Sequence, residues 1–404
     1  MYINRALENE VLEASKQFPA LIVTGPRQVG KTTMLQRLAE AERKYVSLDD
    51  PLARYTAKSD PDLFLQRYKP PVIIDEIQYA PEILPYIKIY ADTHKRKGDF
   101  WLTGSQSFHM MKNVTESLAG RTAIIQMFGL SASEISEVKS EPFVCNHQAM
   151  LERLNERTPQ NLHDVYERIH KGSMPVAYSS EFTWERFYSA YVNTYLQRDI
   201  KDLTQVGDEL VFLNFMTACA ARTSRMVNYA DLAKDVGISA PTAKQWLSIL
   251  VSSGIIALIQ PYFNNVLKRA IKSPKMYFMD TGLCAYLTRW DSGKTLEVSA
   301  MSGAFFETYV VGEILKSYYN AGKRPPIYYY RDTDGKEIDL ILEQNNTLYP
   351  IEIKKSANPG KDATKNFNVL NKSGKEIGEG CVVCLYSNVF PLDKSNWLVP
   401  VWLI

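Results

Sequence analysis

Gly25-Pro-Arg-Gln-Val-Gly-Lys-Thr32 sets two glycines five residues apart and follows the second with a lysine and a hydroxyl. Glycine lets a backbone turn tightly and present its N–H groups to a ligand. A run of this spacing, entered from an apolar strand and leaving into a helix, is a phosphate-binding loop. The apolar stretch Ala20–Thr24 precedes it and a helix-forming stretch, Lys31–Ala39, follows. The loop residues Gly25, Pro26, Arg27, Gln28, Val29 and Gly30 would wrap the phosphates of ATP. Lys31 would reach the β- and γ-phosphates and Thr32, with Thr33 beside it, would ligate Mg²⁺.

Val72-Ile-Ile-Asp-Glu76 supplies the complementary half. An apolar strand ending in two carboxylates gives Asp75 to the Mg²⁺ shell and Glu76 as general base for the attacking water. The alternative is a strand end with two solvated acids. Trp101-Leu-Thr-Gly-Ser-Gln106 reads as a further strand, whose polar end, Ser105 or Gln106, would orient that water. Arg121, closing Ser117-Leu-Ala-Gly-Arg121, is a candidate arginine finger, in cis or across a subunit interface. Arg198 is a second. For each, a salt-bridged surface residue is the competing reading.

A second set of charged residues lies near the other end. Glu307 stands at helical spacing from Val310, Val311 and Ile314, so it falls on the apolar face of a helix, Gly303–Lys316. A carboxylate there needs a partner, a cation or a metal. In the strand Ile338–Leu342, Asp339 faces away from Ile338, Leu340 and Leu342, and in Leu348–Lys354 the side chains of Glu352 and Lys354 share one face. Two adjacent strands would gather Asp339, Glu352 and Lys354 on one surface with Glu307 nearby.

Between the two sets, Tyr229–Val236, a turn at Gly237-Ile-Ser239 and Ala240–Ser252 follow helix-turn-helix grammar, with Ser239 as N-cap. Ile255–Ile259 and Met276–Met279 would pair as a wing, with Lys268, Arg269, Lys272 and Lys275 between or beside them. These cations, with Lys244 on the second helix, are candidate DNA phosphate contacts. Lys244 and Gln245 are few base readers, so sequence-specific readout would be weak. The competing reading is a winged helix used only for packing.

The elements that must position these residues alternate strand and helix over residues 1–140: Ala20–Thr24, Tyr45–Leu48, Val72–Asp75, Phe100–Thr103 and Ala123–Phe128 are apolar runs suited to a parallel sheet covered on both faces. Residues 141–206 read as a helical lid or connector, with Leu151–Arg157 and Trp184–Leu203 as helices. Residues 207–290 hold the helix-turn-helix and wing. Residues 301–404 return to mixed α/β, after a polar linker at Trp290–Ser302. The expected fold class is therefore α/β in four parts.

Composition narrows the class further. The 404 residues are 45% hydrophobic and 23% charged with net charge +2, ordinary for a globular protein. No apolar run is long enough to span a bilayer and no signal peptide is evident, so a cytoplasmic protein without membrane partners is expected. Five scattered cysteines fit a reducing compartment. Cys381 and Cys384 read as a buried strand rather than a metal or redox pair, because positions three apart point to opposite faces.

Together, Gly-Pro-Arg-Gln-Val-Gly-Lys-Thr-Thr33, Asp-Glu-Ile-Gln78, Leu-Thr-Gly-Ser105 and Ser-Leu-Ala-Gly-Arg121 resemble the archaeal-type, STAND-related AAA+ P-loop ATPases. Those proteins join an ATPase core to a winged helix and a C-terminal nuclease-like domain. Glu307, then Asp339, then Glu352-x-Lys354 resembles the PD-(D/E)XK nucleases, a restriction-endonuclease-like fold. That resemblance implies a second Mg²⁺ or Mn²⁺ on the three carboxylates, with Lys354 positioning a water. The AAA+ resemblance implies a homo-oligomer, a hexameric ring, and the leading reading is that it acts on DNA. Holliday-junction resolvases share the nuclease-like fold, so branched DNA is the expected substrate of remodelling. An ATP-gated nuclease and a STAND-like signalling switch are the two rival functions.

Overall fold

The computed structural model describes residues 2–104, 117–195, 209–263 and 273–404. Strands β1 (Ala20–Thr24), β2 (Lys44–Ser47), β3 (Val72–Asp75), β4 (Phe100–Gly104) and β5 (Thr122–Gln126) form an all-parallel sheet in the order β2-β3-β4-β1-β5. Both faces are covered, which is why the strands read as unbroken apolar runs. Leu21, Val23, Ile73 and Trp101 enter one core, while Ala20, Ile22, Val72, Ile74, Phe100 and Leu102 enter the other. The expected strands form within one or two residues of where the sequence places them. Because all run the same way, β1, β3 and β4 bring Thr24, Asp75 and Gly104 to one edge, where ligands of such sheets bind.

The connector departs from a simple lid. Its helix His147–Glu156 is tied to the far end of the chain, while in Leu162–Lys171 Tyr166 OH donates to Ser302 O at 2.7 Å. Arg153 donates to Leu403 O at 2.9 Å, Arg157 to Trp402 O at 3.0 Å, and His147 pairs with Glu379 at 2.6 Å. The two arginines satisfy carbonyls at the C-terminal turn, which would otherwise be buried without partners. The expected linker Trp290–Ser302 is also packed: it contains the helix Gly293–Glu297, whose Leu296 is fully buried.

The helices Tyr229–Val236 and Ala240–Ser252 flank a left-handed Gly237, and Ser239 accepts from Thr242 N at 3.2 Å, as an N-cap should. Strands β6 (Ile256–Ile259) and β7 (Lys275–Phe278) pair antiparallel. The hairpin does not stand free. Just beyond β6, Tyr262 N donates to Tyr329 O at 2.6 Å and Tyr329 N to Gln260 O at 3.1 Å, linking it to the last sheet.

That last sheet runs β13 (Phe390–Pro391), β14 (Asn396–Pro400), β12 (Gly380–Cys384), β10 (Thr347–Ile353), β9 (Glu337–Gln344), β8 (Ile327–Arg331), with β11 (Glu376–Ile377) beside β10. Cys381 and Cys384 on β12 enter different cores, and all five cysteines are free and buried. The helix Ser302–Tyr319 is buried almost all round and acts as the hub. Its Glu313 accepts from Ala132 N at 2.7 Å and its Lys316 donates to Leu130 O at 2.9 Å, holding the segment that leaves the parallel sheet. Among the described residues no helix is long and apolar enough to cross a membrane.

Candidate nucleotide and carboxylate sites

The loop Gly25–Gly30 leaves β1 and enters the helix Lys31–Leu38. Gly25 has φ +147, and a Cβ there would come within 1.9 Å of Met127 O, so no other residue fits. Gly30 has φ +92 and Gln28 φ +62, consistent with a loop that folds back on itself. Lys31 is buried and donates to Gly25 O at 3.0 Å and Pro26 O at 2.7 Å, so its ammonium lies within the loop. Arg5 braces the loop from behind, donating to Val29 O at 2.7 Å, Phe128 O at 2.8 Å and Glu134 at 2.9 Å.

The two expected Mg²⁺ residues meet: Thr32 Oγ1 donates to Asp75 Oδ1 at 2.7 Å. Two further residues, not singled out from the sequence, complete the cluster. Thr103, at the end of β4, donates its hydroxyl to Asp75 Oδ1 and accepts from Glu76 N at 3.1 Å. Tyr45 on β2 donates to Asp75 Oδ2 at 3.0 Å, and burial, then the Asp75 charge, pushes its phenol up to about 12. Glu76 holds a left-handed backbone at φ +59 and accepts a hydrogen bond from Gln78 Nε2. A non-glycine residue in that region marks a constrained, often functional, position. The residues present fit a nucleoside triphosphate with Mg²⁺: a phosphate loop with its lysine, a hydroxyl–carboxylate pair for the metal, and an adjacent glutamate. Ser105, Gln106 and Arg198 lie outside the described residues.

Arg121 is not where a cis finger must be. It precedes β5, at the end of the sheet opposite the loop, about 16 Å away along a five-residue strand. There it pairs with Asp92 at 2.5 Å and donates to Ala119 O at 2.9 Å. The direction of the strand therefore speaks against the cis reading, and the ion pair with Asp92 is what the salt-bridged surface reading expects; a finger here could act only on another subunit.

The C-terminal carboxylates do assemble. Asp339 Oδ2 accepts from Ile353 N at 2.8 Å, and Lys354 Nζ lies 2.5 Å from Glu352 Oε1 and 4.0 Å from Asp339 Oδ2. Glu307 accepts from Tyr277 OH at 2.7 Å. The partner that Glu307 requires is Lys275 of β7, whose ammonium lies 2.6 Å from Glu337, 3.2 Å from Glu307 and 3.9 Å from Asp339. This corrects two expectations. Lys275 is not a phosphate contact, since its side chain is 4% exposed. Nor do Glu307, Asp339 and Glu352 form a metal site as arranged: among the described residues no group of three such ligands could hold a metal. Burial and the neighbouring Asp339 charge push both Glu307 and Glu352 up to about 7, against the pull of Lys275 and Lys354 respectively. Burial alone would lower the Lys275 pKa, but Glu307, Asp339 and Glu337 more than reverse it.

Of the other expected DNA contacts, Lys244 is exposed with Gln245 on the outer face of Ala240–Ser252, whose Ala243, Trp246, Leu247 and Leu250 are buried. Lys268, Arg269 and Lys272 lie outside the described residues.

Residues 17–136 match the family model described as AAA domain, over the parallel sheet and its loop. Fold, loop and this match mark residues 17–136 as an AAA-type P-loop ATPase domain. Residues 162–294 and 302–404 match two models described as domains of unknown function, DUF8612 and DUF4143. Uncharacterized proteins of Mycobacterium bovis and Mycobacterium tuberculosis are each 26% identical over 385 residues, 95% of this chain and 80% of theirs. Among solved structures, a Walker-type ATPase of Pyrococcus abyssi aligns with TM-score 0.42 and 16% identity, over 71% of this chain and 96% of its own. A RuvB variant of Thermotoga maritima aligns with TM-score 0.31 and 18% identity, over 62% of this chain and 86% of its own.

Proposed function

We propose that this chain is an oligomeric ATPase that contacts DNA and couples hydrolysis to its remodelling. The observation that carries the hydrolytic part is the Thr32–Asp75–Thr103–Glu76 cluster beside the loop lysine. ATP with Mg²⁺ supplies the reacting phosphoryl group. Lys31 exchanges its carbonyl partners for phosphate oxygens, and Thr32 with Asp75 holds the metal shell. Thr103 and Tyr45 fix the Asp75 carboxylate. Glu76 takes the proton of the attacking water, and Gln78 sets its orientation.

The oligomer in this reading rests on Arg121 acting as a finger. Arg121 lies too far from its own loop to act there, so an arginine finger at this position would have to serve a neighbouring subunit. DNA contact would fall on the helix Ala240–Ser252, whose exposed Lys244 and Gln245 stand where a helix-turn-helix meets a groove. Few base readers there imply backbone binding and shape preference, as for branched DNA. Metal-dependent cleavage is no part of this reading, because a lysine fills the carboxylate cluster.

Steady-state ATPase with Mg²⁺, with and without duplex or four-way-junction DNA, tests it. Turnover should vanish in Lys31→Ala, and DNA should stimulate the wild type but not Lys244→Ala. Turnover indifferent to any DNA would remove the DNA half of the proposal.

A further inference from the structure

The cluster of Glu307, Asp339 and Glu352 already contains a cation. Lys275 reaches it from a different part of the chain, and its position is set by backbone rather than by a flexible stem. Met276 N donates to Arg225 O at 3.0 Å, Ser224 N to Met276 O at 2.8 Å, and Val227 N to Pro274 O at 2.8 Å. On the other side Tyr329 OH donates to Ser273 O at 2.6 Å. The ammonium is thus delivered among the carboxylates by the docking of the hairpin. A further observation points to a larger charge. Glu352 Oε2 is buried without a hydrogen-bond partner, although Glu352 is about nine-tenths buried and its other oxygen is held by Lys354. A buried carboxylate oxygen left unpaired is costly unless something occupies the space it faces in another state.

We propose that Lys275 is the resident cation of this cluster: its ammonium takes the place of a divalent ion, keeping the site closed to metal while the β6–β7 hairpin is docked. Removing the ammonium opens a site for a hard divalent cation on Glu307, Asp339 and Glu352. A lysine is a compact point charge with three donors, so it can satisfy several carboxylates at once. It supplies no Lewis acid and no metal-bound water, so the cluster cannot act hydrolytically in this state. The proposal rests on reading the three carboxylates as a cation site, and it names what controls that site.

The test is Mn²⁺ binding to the full-length chain, by calorimetry and by loss of the free-Mn²⁺ paramagnetic signal, in buffer without nucleotide. Three proteins are compared. Lys275→Met removes the ammonium alone. Lys275→Met with Glu337→Gln removes it together with its nearest carboxylate, which lies outside the trio, so the fold keeps a balanced charge even where the single variant is unstable. The wild type should bind Mn²⁺ at this site no tighter than about millimolar, and the variants should gain one equivalent at least roughly tenfold tighter. Adding Asp339→Asn should abolish the gain. Wild-type binding as tight as in the variants would overturn the resident-cation proposal while leaving the metal-site reading standing. A folded double variant that binds no Mn²⁺ would overturn the metal-site reading and the proposal with it.

Discussion

At the scale of single residues, the nucleotide site divides into what spacing reveals and what only the fold assembles. Lys31, Thr32, Asp75 and Glu76 belong to two short motifs, so their roles are written in local sequence. Thr103 and Tyr45 are not. Each reaches Asp75 from another strand, 28 and 30 residues away, and an isolated Thr or Tyr in an apolar run looks like any strand residue. Thr103 carries a specific prediction. Thr103→Val keeps the shape but removes the hydroxyl shared by Asp75 and the Glu76 N–H. The turnover number should fall roughly tenfold to a hundredfold, with nucleotide affinity nearly unchanged, because orientation and not binding is lost. Steady-state kinetics beside nucleotide titration would check this, and a parallel loss of affinity would make Thr103 a plain structural residue. Lys275 is the instructive misreading. Its basic neighbours Lys268, Arg269 and Lys272 suggest a solvated tip, yet β7 is buried along its whole length. Only the partner that Glu307 needed was legible from sequence, not where it came from.

At the scale of elements, the five strands of the parallel sheet were legible because burial on both faces leaves unbroken apolar runs. The short edge strands β11 and β13, two residues each, were not, since no period can be read in two residues. The helix Gly293–Glu297 is not legible in the sequence because Leu296 is its one apolar side chain among polar neighbours. The loop between β1 and its helix gives a sharp prediction. Gly25→Ala places a methyl against Met127 O, so the loop must open and nucleotide binding should be lost while the strands persist. Circular dichroism with a fluorescent-nucleotide titration checks it. Retained binding would show that the loop adapts. Gly254, at φ +74, meets Pro26 of the same loop, where an added Cβ would lie 3.0 Å from the proline ring. Gly254→Ala should therefore cost about 1 kcal/mol of stability in chemical denaturation and weaken nucleotide affinity as well. An unchanged affinity would mean that the turn before β6 does not touch the loop's function.

At the scale of the whole molecule, the helix Ser302–Tyr319 joins the segment leaving the ATPase sheet to the last sheet through Glu313 and Lys316. The turn before β6 meets the loop at Gly254, and β7 carries Lys275 into the carboxylate cluster. Subunit coupling is the next level. If Arg121 serves a neighbour, mixing inactive Arg121→Ala with inactive Glu76→Gln should restore turnover at junctions that pair an intact Glu76 with an intact arginine. No recovery among exchanging subunits would count against the trans finger. The proposed hydrolysis runs through Glu76, and one measurement addresses that directly: the fate of Mg²⁺-ATP held by Glu76→Gln in a single turnover, beside the wild type. Glu76→Gln should retain ATP on the chain, since Lys31, Thr32 and Asp75 are intact, and should form ADP at least roughly a hundredfold more slowly. Wild-type chain that holds ATP without turning it over, or Glu76→Gln that hydrolyses at the wild-type rate, would contradict the account.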